Sequence, residues 1–373
     1  MKIGILTQPL QYNYGGLLQN FALQTVLKEA GYDCITLDWQ NIYLPPESDT
    51  IQKRKALLKY YIKLALCKDI PHSTNSFDSF KNKYINSTGK IKTSGGFGRE
   101  VKKNKIDVLL VGSDQCWRPI YCFPFLNQMY LNFIDKESGI RKLSYAASFG
   151  SDCWEYSEKE TRIASKLAKD FDFISVREYS AVKLCKCYLG VDASHVLDPT
   201  LLLPKKHYAD IVENENTPTS PGDLYYYILD PTSEKTALIS VIAKQLGLTP
   251  FFVERIEQRR DNNCGIAVPP SVFSWLRGFM DAEMTIVDSF HGMVFSIIFN
   301  KPFWVIGNKE RGLARFQSLL KIFNLEERII TDSENTDFRN PIDWSFVNTK
   351  LSELSIYSKN LLLTNIRNEK IID

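Results

Sequence analysis

T-I-V-D-S-F-H-G-M-V-F-S, residues Thr285 to Ser296, changes its periodicity in the middle. Ile286 and Val287 close an apolar run that stops at Asp288, Ser289, Phe290, His291 and Gly292. Val294, Phe295, Ile297 and Ile298 then recur with helical spacing. This is a strand, a tight turn and a helix. A helix start carries partial positive charge and favours anions. His291, one of four histidines in the chain, lies at that turn, where an imidazole can exchange a proton with an anionic ligand.

The same alternation runs through the chain. Strands are expected at Ile3–Leu6, Cys34–Leu37, Ile106–Val111, Leu143–Ala147, Phe171–Val176, Leu224–Leu229, Pro250–Val253, Met284–Val287 and Phe303–Ile306. Helices are expected at Leu17–Glu29, Glu158–Lys169, Ser180–Tyr188, Ser233–Leu246, Val272–Phe279, Val294–Phe299 and Ala314–Phe323. Such a pattern implies α/β architecture, parallel sheets covered by helices. At 373 residues two domains are expected. E-N-E-N-T-P-T-S-P-G, Glu213 to Gly222, is polar, broken by proline and glycine, and without apolar period. It divides the sequence into a domain at 1–212, a linker at 213–222 and a domain at 223–343. A helical, basic excursion is expected at 41–94, and a C-terminal helix at 344–373 that returns to the first domain.

Composition narrows the function. The chain is 44% hydrophobic and 24% charged, as in a soluble globular protein, and its formal net charge of +3 is too small to argue for nucleic acid. The start shows no secretion signal. No stretch approaches the ~20 apolar residues that span a bilayer. Eight cysteines include no C-x-x-C pair, so reduced thiols are expected and no metal site.

In open α/β sheets ligands bind where loops leave the carboxyl ends of strands. Five such loops hold unusual side chains. The first runs Asn13-Tyr14-Gly15-Gly16 into a helix bearing Gln19, and reads as a ligand-approach loop or a plain tight turn. The second is Ser113-Asp114-Gln115-Cys116-Trp117, where an indole and polar groups suit a sugar, or a core tryptophan beside a capping aspartate. Arg177-Glu178 ends a third strand and fits a carboxylate or phosphate ligand, or a structural ion pair. The fourth is the Ser289-Phe290-His291 turn. The fifth is cationic and glycine-punctuated, with Arg311 and Arg315 placed to close over an anion or to sit in solvent.

Taken in order, N-Y-G-G-x-L-Q (from Asn13), G-S-D-Q-x-W (from Gly112), S-Y-A-A-S-F-G (from Ser144), S-V-R-E (from Ser175), D-S-F-H-G (from Asp288) and R-G-L-A-R-F-Q-S-L-L (from Arg311) resemble the polysaccharide pyruvyl transferase family. The resemblance implies two Rossmann-like domains facing a cleft, similar to the glycosyltransferase-B architecture, with the active site between them. It implies transfer of pyruvyl from phosphoenolpyruvate, as co-substrate and without further cofactor, onto a sugar, oligosaccharide or lipid-linked saccharide, forming a ketal. His291 takes the family's histidine position and Arg177 its arginine. Family members often carry arginine two residues before that histidine; here Ser289 stands there, and Arg311 or Arg315 would replace it. A cytoplasmic protein is expected, touching the inner membrane face through its acceptor. A nucleotide-sugar glycosyltransferase and a non-catalytic glycan-binding relative are the alternatives.

Overall fold

Strand β1, Lys2–Leu6, is almost wholly apolar and buried, as a strand covered on both faces must be. The computed structural model describes residues 1–11, 13–39, 55, 76–253, 256–259, 265–268, 271–307, 313–331 and 335–368. These form two compact units.

The first unit takes the described parts of 1–73 and 354–373 together with 81–202. Among the described residues its main sheet is parallel, in the order β2-β1-β3-β4, with β2 at Asp33–Thr36, β3 at Val108–Val111 and β4 at Arg141–Ser144. Bridges from Leu143 to Phe173 and from Ala147 to Val176 continue it towards β5, Ser175–Val176, which pairs in parallel with β6, Ser194–His195. Helix α1, Tyr14–Glu29, is buried around most of its girth, so its polar side chains need partners. Gln24 Nε2 donates to Thr36 Oγ1 (2.8 Å) and Asn86 O (2.7 Å), and Thr36 Oγ1 donates to Asn20 Oδ1 at 2.9 Å. Helices α2 (Ser76–Tyr84), α3 (Ser94–Asn104) and α4 (Glu158–Ala168) follow, α4 opening with a capping box between Ser157 and Glu160. The segment expected as the helix Ser180–Tyr188 is α5, Tyr179–Leu184, followed by a wider π turn, Cys185–Leu189.

The second unit takes in 203–353 and the start of α2. Among the described residues its sheet is β13-β12-β11-β7-β8, parallel throughout: β7 Leu224–Tyr227, β8 Pro250–Phe251, β11 Met284–Val287, β12 Phe303–Ile306 and β13 Ile329–Ile330. A separate antiparallel pair joins β9, Ile256–Arg259, to β10, Gly265–Val268. The helices are α6 (Lys205–Asn214), α7 (Ser233–Leu246), α8 (Val272–Asp281), α9 (Phe290–Ile298) and α10 (Ala314–Ile322). Tyr208 of α6 meets the Phe295 ring of α9 edge-on at 4.9 Å.

That contact moves the expected boundary. The chain divides between Leu202 and Leu203, and α6 belongs to the second unit; Glu213 and Asn214 still lie in α6, and 215–223 is the loop from it to β7. Most of the excursion expected at 41–94 lies outside the described residues. In the C-terminal helix, Trp344–Arg367, the residues from 354 onward belong to the first unit. There Arg141 donates to the carbonyls of Asn365 (2.7 Å) and Ile366 (3.0 Å), and Leu197 N–H donates to Ser358 Oγ at 3.1 Å.

Candidate active site

Parallel strands bring their following loops to one edge of a sheet, and each unit gathers chemistry there. In the first unit the loops after β1 and β3 are tied together. Gln19 Nε2 donates to Thr7 Oγ1 (2.9 Å), Thr7 Oγ1 donates to Ser113 O (2.7 Å), and Ser113 N–H donates to Gln19 Oε1 (3.1 Å). Gln19 is fully buried, so this polar ring is framework. Asn13 caps α1 by accepting from Gly16 N–H at 3.1 Å, which turns its amide NH2 towards Asp114 Oδ2 at 3.3 Å. Tyr14, Gly15 and Gly16 form the first turn of α1. Asp114 has φ +69, a conformation that non-glycine residues rarely adopt, and its backbone is fixed there by Cys116 N–H and Ser148 N–H on its carbonyl.

Arg177, after β5, reaches this group, and its side chain is 2% exposed. NH1 donates to Asp198 Oδ2 at 2.8 Å, NH2 donates to Asp114 Oδ1 at 3.3 Å, and Nε lies 3.7 Å from Glu178 Oε1. Burial works against the cation, but Asp198, Asp114 and Glu178 outweigh it and raise its pKa. Asp198 is held by Thr200 through its N–H (3.0 Å) and Oγ1 (2.7 Å). Ser113 Oγ is shared between Ala146 O (2.9 Å) and Asp198 Oδ2 (3.3 Å), and Ser148 Oγ donates to Glu178 Oε1. Three carboxylates thus surround one guanidinium. Arg177 spends its charge on protein groups, which differs from the donor-ligand role the sequence suggests.

Trp117 is a correction. It is fully buried, stacks on Tyr130 at 5.1 Å and 5°, and donates Nε1–H to Met129 O at 3.0 Å; it is core, and no face is left for a sugar. Gln115 sits half-buried to one side, accepting from Arg118 NH1 at 3.2 Å. His195, at the end of β6, was not expected here. Its Nε2 lies 3.0 Å from the Arg177 carbonyl, and a carbonyl only accepts, so Nε2 carries the proton. Burial lowers its pKa, partly offset by that bond.

In the second unit D-S-F-H-G resolves into separate jobs. Asp288 is fully buried and ties the end of β11 to the end of β7. It accepts from Leu229 N–H (2.6 Å), Asp230 N–H (3.3 Å) and Lys235 Nζ (2.8 Å). Ser289 is the N-cap of α9, accepting from Gly292 N–H at 3.0 Å. A Cβ on Gly292 would meet Ser289 Oγ at 2.6 Å and Val287 Cβ at 3.0 Å, so glycine lets the helix close onto its strand. Phe290 and His291 form the first turn, their rings 5.3 Å apart and edge-on. Arg315, from the start of α10, lies 5.8 Å over the Phe290 ring. His291 and Arg315 are 8% and 7% exposed. Arg311 lies outside the described residues. Among the described residues, no group of three or more His, Cys, Asp or Glu is placed to hold a metal, and no helix is long and apolar enough to cross a membrane.

A family model for polysaccharide pyruvyl transferase matches residues 13–310, most of the chain. The chain belongs to the polysaccharide pyruvyl transferase family. It is therefore a transferase of polysaccharide pyruvylation. No match is found among curated protein sequences. Among solved structures, UDP-GlcNAc 2-epimerase from Neisseria meningitidis, bound to UDP-GlcNAc, aligns at TM-score 0.53 and 10% identity over 99% of this chain and 100% of that one. UGT89C1 of Arabidopsis thaliana, complexed with UDP-L-rhamnose, aligns at TM-score 0.51 and 10% identity over 97% and 98%. At such identity the likeness speaks to fold alone, and the fold of this transferase is the glycosyltransferase-B-like α/β type.

Proposed function

We propose that the protein transfers the pyruvyl group of phosphoenolpyruvate to two hydroxyls of a polysaccharide sugar or its lipid-linked precursor. The observation that carries this reading is His291 in the first turn of α9, with Arg315 set over the adjoining Phe290 ring. A proton donor, a guanidinium and the positive end of a helix suit an enol phosphate bearing a carboxylate and a phosphate. His291 protonates the enol carbon, making it a methyl group and leaving an oxocarbenium-like centre. One sugar hydroxyl adds there and passes its proton to His291, restoring it. Phosphate then leaves with the bonding pair, and the second hydroxyl closes the ketal as its proton passes to the departing phosphate.

The first unit offers a different field. Three carboxylates around Arg177 oppose a multiply charged anion but accept from neutral hydroxyls, so Asp114 and Asn13 are assigned to the acceptor. Arg177 holds Asp114 in place. Arg315 takes the donor charge where Ser289, committed to capping, cannot. The test is single-turnover pyruvylation of a nitrophenyl hexoside or lipid-linked saccharide, read as a pyruvate mass increment. His291→Ala is expected to slow the step by ~10²–10⁴-fold with unchanged circular dichroism. A folded His291→Ala at wild-type rate would make His291 structural. Turnover of a nucleotide sugar without any response to phosphoenolpyruvate would replace the proposal with a glycosyltransferase.

A further inference from the structure

A groove on the first unit lies away from the loops described above. Thr161, Arg162, Ser165, Lys166 and Lys169, along and just beyond α4, line it with Tyr188, in a cavity of about 380 Å³. Helix α4 leads from the end of β4 back to the start of β5. In a parallel sheet that return runs from the carboxyl edge to the amino edge. The groove follows this helix from Thr161 in its first turn to Lys169 just past its end, and shares no lining residue with the loops that hold Asp114 and Arg177.

Three cations and no carboxylate line this cavity. The nearby acids are engaged elsewhere. Glu160 closes the capping box with Ser157, Asp170 pairs with Lys136 at 3.6 Å, and Asp192 pairs with Lys186 at 2.7 Å. Glu158 comes only to 4.0 Å from Arg162. The adjoining cavity, of about 410 Å³, shares Lys169 but contains Asp172 and Asp192, which bounds the cationic stretch.

Tyr188 gives the groove a rigid wall. It is 45% exposed, yet its ring lies parallel to Trp154 at 4.6 Å and 1°. Trp154 is fixed in turn by Nε1–H to Thr161 Oγ1 (2.8 Å) and by Tyr156 at 4.4 Å. Ser165 Oγ donates to Leu189 O at 2.8 Å, which leaves its lone pairs to accept. A flat fixed ring, a hydroxyl acceptor and clustered ammonium and guanidinium groups match a sugar ring that carries carboxylates.

We propose that this groove binds an anionic saccharide segment, at a site separate from the transfer chemistry. A pyruvyl ketal leaves one carboxylate on the sugar, so pyruvylated repeats of the protein's own polymer are the natural occupant; that clause alone rests on the proposed function. Bound there, the polymer stays attached while further repeats react.

The intact protein is titrated calorimetrically with a galacturonic acid oligomer and with a neutral maltooligosaccharide. The acidic oligomer binds, more weakly as salt rises from about 50 to about 200 mM, and the neutral one does not. Lys166→Glu combined with Lys169→Glu weakens binding about ten- to thirtyfold. Tyr188→Ala weakens it about three- to tenfold. Lys206→Glu, a charge reversal in the second unit, changes nothing. All these variants transfer to a monomeric hexoside at the wild-type rate, while the groove variants raise KM for polymer. Equal loss in Lys206→Glu, full affinity in a folded Tyr188→Ala, no acidic-oligomer binding, or tighter binding of a single-stranded oligonucleotide overturns the proposal. The titration contains no phosphoenolpyruvate, so inactive protein that still binds leaves this site standing and removes only the pyruvyl reading.

Discussion

Arg177→Ala separates two roles for one guanidinium. The wild-type side chain is 2% exposed and stands 2.8 Å from Asp198, 3.3 Å from Asp114 and 3.7 Å from Glu178. Alanine leaves those carboxylates buried around a void with no cation. Breaking a buried ion pair by removing one partner costs about 3–5 kcal/mol. For a unit of this size each kcal/mol is worth about 2–4 °C, so the melting temperature should fall by about 6–20 °C. Adding Asp198→Asn should recover part of the loss, because one fewer carboxylate then lacks its counter-ion. The assay is thermal denaturation by circular dichroism alongside single-turnover transfer. If Arg177→Ala melts within about 2 °C of wild type and only KM for phosphoenolpyruvate rises, the guanidinium serves the donor and the organising role is refuted.

Gly292→Ala should cost about 1–3 kcal/mol and slow transfer, since its methyl would press on Ser289 Oγ at 2.6 Å and on Val287 at 3.0 Å; unchanged melting would show that the turn relaxes. Among the described cysteines, a thiol reagent at pH ~8 should label exposed Cys153 and Cys187 in the native protein. Cys34, Cys122 and Cys185 should wait for unfolding, because burial raises their pKa values to about 11, 12 and 12. Peptide mass mapping decides the order. His195 contributes to acid sensitivity: burial holds its folded pKa below the ordinary 6.5, so the unfolded chain binds that proton more readily. Its share of stability is complete above pH ~6.5 and is lost as pH falls through the lower folded value. His195→Gln should flatten denaturant-derived stability over that window, and an unaltered slope would contradict it.

Local features of the site were legible in sequence. The apolar period breaks at Asp288 because the strand ends there, and Ser289 and Gly292 are the residues a capped, closely packed helix start requires. Long-range contacts were not. Nothing in S-V-R-E announces that Asp114 and Asp198 will meet the same guanidinium from distant positions. Trp117 carried composition suited to a sugar, but the π-face was claimed by Tyr130, a partner set by tertiary packing. The proline- and glycine-rich stretch at 213–222 signalled a turn correctly, yet a turn inside a domain has the same composition as a linker. The division at Leu202 is marked by no such signal, since α6 begins almost at once.

The C-terminal helix gives the chain an order of completion. The second unit's residues end at 353, whereas the first unit needs residues beyond 354. Leu362 and Ile366 are buried, and Arg141 has its carbonyl partners only once Asn365 and Ile366 arrive. During synthesis the second unit's residues have therefore all emerged while the first still lacks a wall. A chain cut short at residue 353 would damage the half made first. Nascent-chain proteolysis would show this as late protection of the N-terminal strands.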